Sequence, residues 1–533
     1  MNCRVYKIII VIIVVFSLTK CAKRGRPTGG EKDELAPVLI SAKPSYESIH
    51  FEEKKIKIYF DEYVKLKNVN KQLIVSPPLK NNLEITPVGT ASKVIILKIK
   101  DTLKENTTYT INFGNSVEDN NEGNQLKSFK YVFSTGSYID SLKLSGDIYD
   151  AFSRKTDSEI KVMLYKIDST FNDSIIYKEK PTYVSSTLDS TNFNLTNLKE
   201  GKYLVLAIKE PNSNYIYNPK QDKIGFLKAP ITLPSDTVLN IPIFKEILPF
   251  KFIKGIQASK GHIYFGYEGD GKQMKIKLLD SVSVDSVTTQ TVFEKEKDTV
   301  SFWYHNINKD SLQFEVRNLN YVDTVTVKLK LSKQDTLILK SNLRSVLNPR
   351  DTFSINTNIP FVKIDTSKII LINKDSIAVP FVTQIDRFKM NLSIHFKNEF
   401  NNQYQVKLLP NAIFDVFENT NDTLVYNMRS KKIEDYGIVN LKVTNVNSPI
   451  IIELITEKDE LIARKRINEN QIVTFKNLPP KNYIARAIYD DNNNGVWDTG
   501  NYLLKKYPEK VFYFDVPLEV RAGWEQNEIF TLE

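Results

Sequence analysis

Apolar residues in this chain recur at every second position in short runs, and almost nowhere at helical spacing. Lys55-Ile56-Lys57-Ile58-Tyr59-Phe60 alternates, and so do Tyr109-Thr110-Ile111-Asn112-Phe113 and Met274-Lys275-Ile276-Lys277-Leu278. Val325 to Leu331 repeats the pattern with Lys328 and Lys330 on the polar side. Successive side chains of a strand point to opposite faces, so such a run buries one face and solvates the other. The supply of Tyr (26) and Phe (29) against only 19 Gly favours strands further. Short strands separated by turn residues, with no helical period, predict an all-β chain built as a string of β-sandwiches. At 533 residues there is room for about three to five domains of ordinary size.

The N-terminus has a different character. Arg4 and Lys7 precede an unbroken apolar run from Ile8 to Phe16, and Leu18-Thr19-Lys20-Cys21 closes it. The segment from Ile8 to Leu18 would make a helix of about 16 Å, too short for a hydrocarbon core of about 30 Å. Ala22-Lys23-Arg24-Gly25-Arg26-Pro27-Thr28-Gly29-Gly30 follows, which has nothing to pack and reads as a tether. This order resembles a bacterial lipoprotein signal, in which the cysteine becomes the lipidated N-terminus. Residues 1–20 would be the signal peptide and 21–36 the tether, although Lys20 stands where that pattern has a small residue. The resemblance implies palmitate on Cys21, membrane lipid as a partner, and an outer-membrane location. Lys23-Arg24 in place of acidic residues favours a payload facing the periplasm.

Downstream, Ile58-Tyr59-Phe60-Asp61-Glu62-Tyr63-Val64, Leu103 to Tyr109, Asp119 to Asn124 and Tyr131-Val132-Phe133-Ser134-Thr135-Gly136 form an ordered set. Together they resemble a bacterial Ig-like domain of the S-layer-protein type over residues 37–136, as in Bacteroidota-type lipoproteins. Residues 137–245 resemble a transthyretin-like (carboxypeptidase regulatory-like) sandwich, carried by Leu142 to Ile148, Val162 to Tyr165 and Phe193 to Ile208. Asn477 to Ile488 aligns without a gap on Asn197 to Ile208, so 436–533 is expected to be a second copy. Residues 344–435 resemble a further Ig-like sandwich through Tyr404 to Pro410 and Ala412 to Asp415. Residues 246–343 are expected to be a sandwich of unassigned type.

The one stretch that proposes defined chemistry is Asp490-Asp491-Asn492-Asn493-Asn494-Gly495-Val496-Trp497-Asp498. Asp490, Asn492, Asn494 and Asp498 place oxygens at alternating loop positions, and Gly495 permits a sharp turn. That spacing suits Ca²⁺, which needs six to eight oxygens, so a structural calcium ion is expected there. The competing reading is an Asx-rich turn. Position 12 is Asn501 rather than a bidentate Glu, and the counterpart loop Glu210 to Asn218 has no glycine and one carboxylate.

Other chemistry is disfavoured. Gly266 to Gln273 approaches a phosphate-binding loop, but Gln273 replaces the Ser/Thr and a strand follows, so no nucleotide is expected. The net charge of +10 is scattered along strands without a basic aromatic cluster, so no nucleic acid is expected. His50, His262, His305 and His395 are far apart in sequence, with no zinc spacing and no nucleophile motif. Only Cys3 and Cys21 occur, and neither would form a disulfide in the mature chain. The expectation is a non-enzymatic, lipid-anchored envelope protein that scaffolds, spaces or binds an envelope protein or glycan. The alternative is a carbohydrate-binding or adhesin-like lipoprotein, for which Trp303, Trp497 and Trp524 would have to form an exposed row.

Overall fold

A computed structural model of the protein describes residues 32–280, 288–295, 297–386, 388 and 390–533. Its described residues fall into two compact units, the first made of residues up to 143 with 182–188 and 195–200.

In the first unit the long strand Lys55–Leu66 is the organising element. Ile56, Ile58 and Phe60 point inward and are at most 2% exposed, as the alternation requires. The strand pairs antiparallel with Ser92–Lys98 (Ile56↔Leu97, Ile58↔Ile95) and, further along, with Val117–Asp119. A second sheet of Ile74–Ser76, Thr108–Gly114 and Phe129–Ser134 closes over it. Tyr109, Ile111, Phe113 and Phe133 meet the first sheet's aliphatic face, and each such side chain stabilises the fold by about 1.5–3 kcal/mol. The hydroxyl of Tyr109 accepts from the Lys104 N–H at 2.9 Å, a tyrosine corner. Asp119 ends the strand by accepting N–H groups from Asn121, Glu122, Gly123 and Asn124. Burial pushes that carboxyl up, but the four donors outweigh it and hold it below the usual range.

The second unit contains the 280-residue repeat as duplicated topology. Gly201–Lys209 is flanked by Lys161–Lys166, Lys223–Phe226 and Ile231–Leu233. Lys481–Tyr489 is flanked by Ile450–Ile455, Val511–Tyr513 and Leu518–Val520 in the same antiparallel arrangement. Each copy also has one parallel pair, Leu142–Asp150 with Leu239–Ile243 and Gly437–Thr444 with Glu525–Thr531. Asn197 and Asn477 both take positive φ (59° and 56°) at the turn before the central strand.

Between the copies lie two further sandwiches. The first stacks the sheet of Lys251–Ser259, His262–Glu268, Thr299–His305 and Thr288–Phe293 on Lys275–Leu278, Ser311–Asn318 and Tyr321–Lys328. Phe265, Phe302 and Phe314 fill the space between, with Phe314 edge-on to both others at 5.0 Å. The second repeats Ig-like details: Tyr404 accepts from the Glu399 N–H five residues upstream at 2.8 Å, as Tyr109 does from Lys104. Asp415 likewise accepts from the N–H groups of Phe417 and Asn419. The chain is thus all-β, a string of β-sandwiches.

Candidate functional site

Cys21, the signal segment 1–20 and residues 21–31 of the tether lie outside the described residues. The loop at 490–498 is described throughout. Asp490 is fully buried at the end of its strand, and its carboxylate accepts the N–H groups of Asn494 (2.8 Å) and Gly495 (2.9 Å). Arg466, reaching across from the strand Leu461–Ile467, pairs with Asp490 at 3.0 Å and also donates to the Asn493 carbonyl. Asn492 and Asn494 both turn their amides onto Asp498. Glu509 fastens the two ends by accepting from the N–H groups of Asp491 (2.9 Å) and Asp498 (2.8 Å). Burial raises the Glu509 carboxyl above its usual range despite those two donors.

The structure therefore brings Asn492, Asn494 and Asp498 together, while Asp490 faces the loop backbone and a guanidinium. The loop at 210–218 shows what this arrangement needs. Glu210 accepts from the N–H groups of Asn214 and Tyr215, the same offsets that Asp490 uses. Tyr215 takes φ 61° where Gly495 takes 82°. Lys161 supplies the facing positive charge, and burial nonetheless raises the Glu210 carboxyl. One backbone design is thus built with and without the calcium-type residues. A cation at Asp490 would have to share that carboxylate with Arg466. An ion confined to Asn492, Asn494 and Asp498 would find a single carboxylate, and backbone carbonyls or water would have to supply the rest of its six to eight oxygens.

The same loop is a docking element within this unit. Trp497 packs at 4.7 Å, with its ring tilted, on Phe152 of the first repeat copy and donates its indole N–H to the Glu509 carbonyl. The Arg486 guanidinium lies 4.2 Å from the centre of the Phe152 ring and is paired with the fully buried Glu453, which also binds Arg464. Further along, Tyr502 donates its backbone N–H to Glu246, and the Tyr507 hydroxyl donates to the Phe226 carbonyl at 3.0 Å. Lys505 pairs with Asp173 at 2.7 Å. Gly500 is required here, because a Cβ would stand 2.6 Å from the Phe244 ring. The two repeat copies thus pack against each other.

Sequence spacing missed a cluster around His262. Its Nε2 lies 3.0 Å from the Ser301 hydroxyl, its Nδ1 3.7 Å from Asp335, and its ring stacks on Trp303 at 3.6 Å. Ser301 in turn donates to Glu294. Burial pulls the imidazole down to about 4, against the opposing pull of Asp335, so it is neutral at pH 7. Ser301 is completely covered, so the cluster is a hydrogen-bonded support and not an accessible nucleophile with its base. Nothing in the sequence marks it, since His262, Ser301 and Trp303 meet through the pairing of His262–Glu268 with Thr299–His305, and Glu294 and Asp335 reach it from outside those strands. The tryptophans form no row: Trp303 is buried, Trp497 is packed on Phe152, and Trp524 is exposed beside Arg521.

Residues 33–135 match the bacterial Ig-like domain family. The chain as a whole is similar to solved structures of β-domain arrays at low identity. It is 9% identical to the S-layer protein SbsC (residues 31–844), with a TM-score of 0.14, covering 86% of this chain and 66% of that one. The chain thus spans just under two thirds of that protein. It is 12% identical to the Bacillus anthracis TIE protein (TM-score 0.15, 95% of this chain and 76% of that one). It is 11% identical to the major pilin subunit of Bacillus cereus (TM-score 0.15, 73% of this chain and 99% of that one). No curated protein matches the chain.

Proposed function

We propose that this protein is a non-enzymatic, lipid-anchored component of a bacterial cell envelope, whose array of sandwiches serves as scaffold, spacer or binding module. The observation that carries the reading is the order of parts. A basic and apolar leader ends at Cys21, an unpackable tether follows, and a bacterial Ig-like domain begins the folded payload. Several acyl chains on Cys21 would hold such a payload at the outer membrane, where one chain gives only marginal binding. Among the described residues no helix is long and apolar enough to cross a membrane. The payload faces the periplasm and meets an envelope protein or glycan there.

Metabolic labelling with a palmitate analogue should mark the wild type and leave Cys21→Ala unmarked. Equal labelling of both would overturn the anchor. Protease added to whole cells should spare the payload if it faces the periplasm. A carbohydrate-binding role is the weaker reading, because the tryptophans do not line up on one exposed face.

A further inference from the structure

The unassigned sandwich carries a groove that the proposed scaffold role does not use. It lies on the face of the sheet opposite Phe265 and Phe302, beyond the part where Phe417 packs on Trp303. Its volume is about 270 Å³. Lys254, Gly266 and Thr299 form one row across three paired strands and line it, with Ile253 and Ile256 as half-exposed apolar walls. Gly266 leaves the floor open: a Cβ there would meet nothing closer than Ile253 at 3.9 Å. Glu294 borders the groove and is fixed from below by Ser301 and His262.

Charge and polarity narrow what fits. Lys254 and Lys297 both line the groove, and among the described residues neither ammonium has a carboxylate partner. Glu294 is the single carboxylate of the lining, so the groove has a surplus positive charge beside apolar walls. A neutral sugar would leave both lysines unmatched and would find Tyr264 as its one aromatic face.

We propose that the groove binds a medium-chain, single-chain carboxylate, its charge matched to Lys254 and Lys297 and its apolar chain to Ile253 and Ile256. The carboxylate lies between Lys254 and Lys297, and the chain runs over Gly266 between Ile253 and Ile256.

Octanoate is the probe, titrated by calorimetry and by saturation-transfer NMR against the full chain in nanodiscs of neutral lipid, with empty discs subtracted. Octanoate should bind, while acetate and octanol each bind at least about tenfold more weakly, since each lacks one of the two contacts. Gly266→Val should abolish binding by filling the floor, and it suits a strand position with open space. Ile256→Glu, a second variant at a half-exposed site, should abolish binding by repulsion. Lys254→Ala with Lys297→Ala should weaken it about tenfold or more. Octanol binding as well as octanoate, or octanoate binding untouched by Gly266→Val and Ile256→Glu, would overturn the proposal. So would acetate matching octanoate, which would mean surface lysines only, or glucose binding in its place.

Discussion

At the scale of single residues, the buried ionisable groups decide most. His262 is held neutral by burial, with Asp335 opposing, Glu294 behind Ser301 and the Tyr264 ring at its edge. Its folded value of about 4 lies below the unfolded value of 6.5, so between the two the unfolded chain binds the extra proton. The stabilising contribution is therefore complete above about pH 6.5 and is lost as pH falls toward 4, up to about 3 kcal/mol. Amide exchange in His262–Glu268 and Thr299–His305 should accelerate from pH 7.5 to 5 after correction for intrinsic rates. The same shift should be much smaller in His262→Gln. An unchanged pH dependence in that variant would assign the effect to other groups. Glu453 and Arg486 belong to the same scale. Each interrupts an otherwise apolar strand, and each is tolerated because the other faces it across the ladder.

At the scale of elements, the loop 490–498 is the informative one. Its two copies share the carboxylate that accepts N–H groups four and five residues ahead, and each has a basic side chain opposite. Asp490→Ala should strand Arg466 and two N–H groups, lowering stability by about 3 kcal/mol or more. Thermal melts in calcium and in chelator should give the same midpoint for the wild type and the same deficit for the variant. A midpoint that rises in calcium, and loses that rise in Asp498→Ala, would instead place an ion among Asn492, Asn494 and Asp498. The calcium-like spacing was legible in the sequence. Arg466 was not, because it reaches the loop from a neighbouring strand 24 residues away.

At the scale of the whole molecule, contacts between the two repeat copies tie chain segments far apart in sequence. Gly500→Val should drive the loop off Phe244 and expose Asn501 to Lys506 to protease, while the strands of both copies stay protected. A chain ending at Asp435 should lose exchange protection at Lys223–Phe226, since Phe226 is covered by Tyr502 and Tyr507. Retained protection there would show that the first copy needs no partner.

The sequence by itself determined the strands, because alternation with a period of two admits no other regular structure that buries one face. It also determined the duplication, since matching Asn-turn and Tyr-strand residues force matching local geometry at 197–208 and 477–488. Only the tertiary structure decided which outer faces meet. Phe152 on Trp497, Phe226 under Tyr507, and His262 beside Ser301 are ordinary strand or loop residues in their local context. Their roles arise from register and docking between distant segments. Those depend on shape and charge complementarity summed over many residues, and no local pattern encodes that sum.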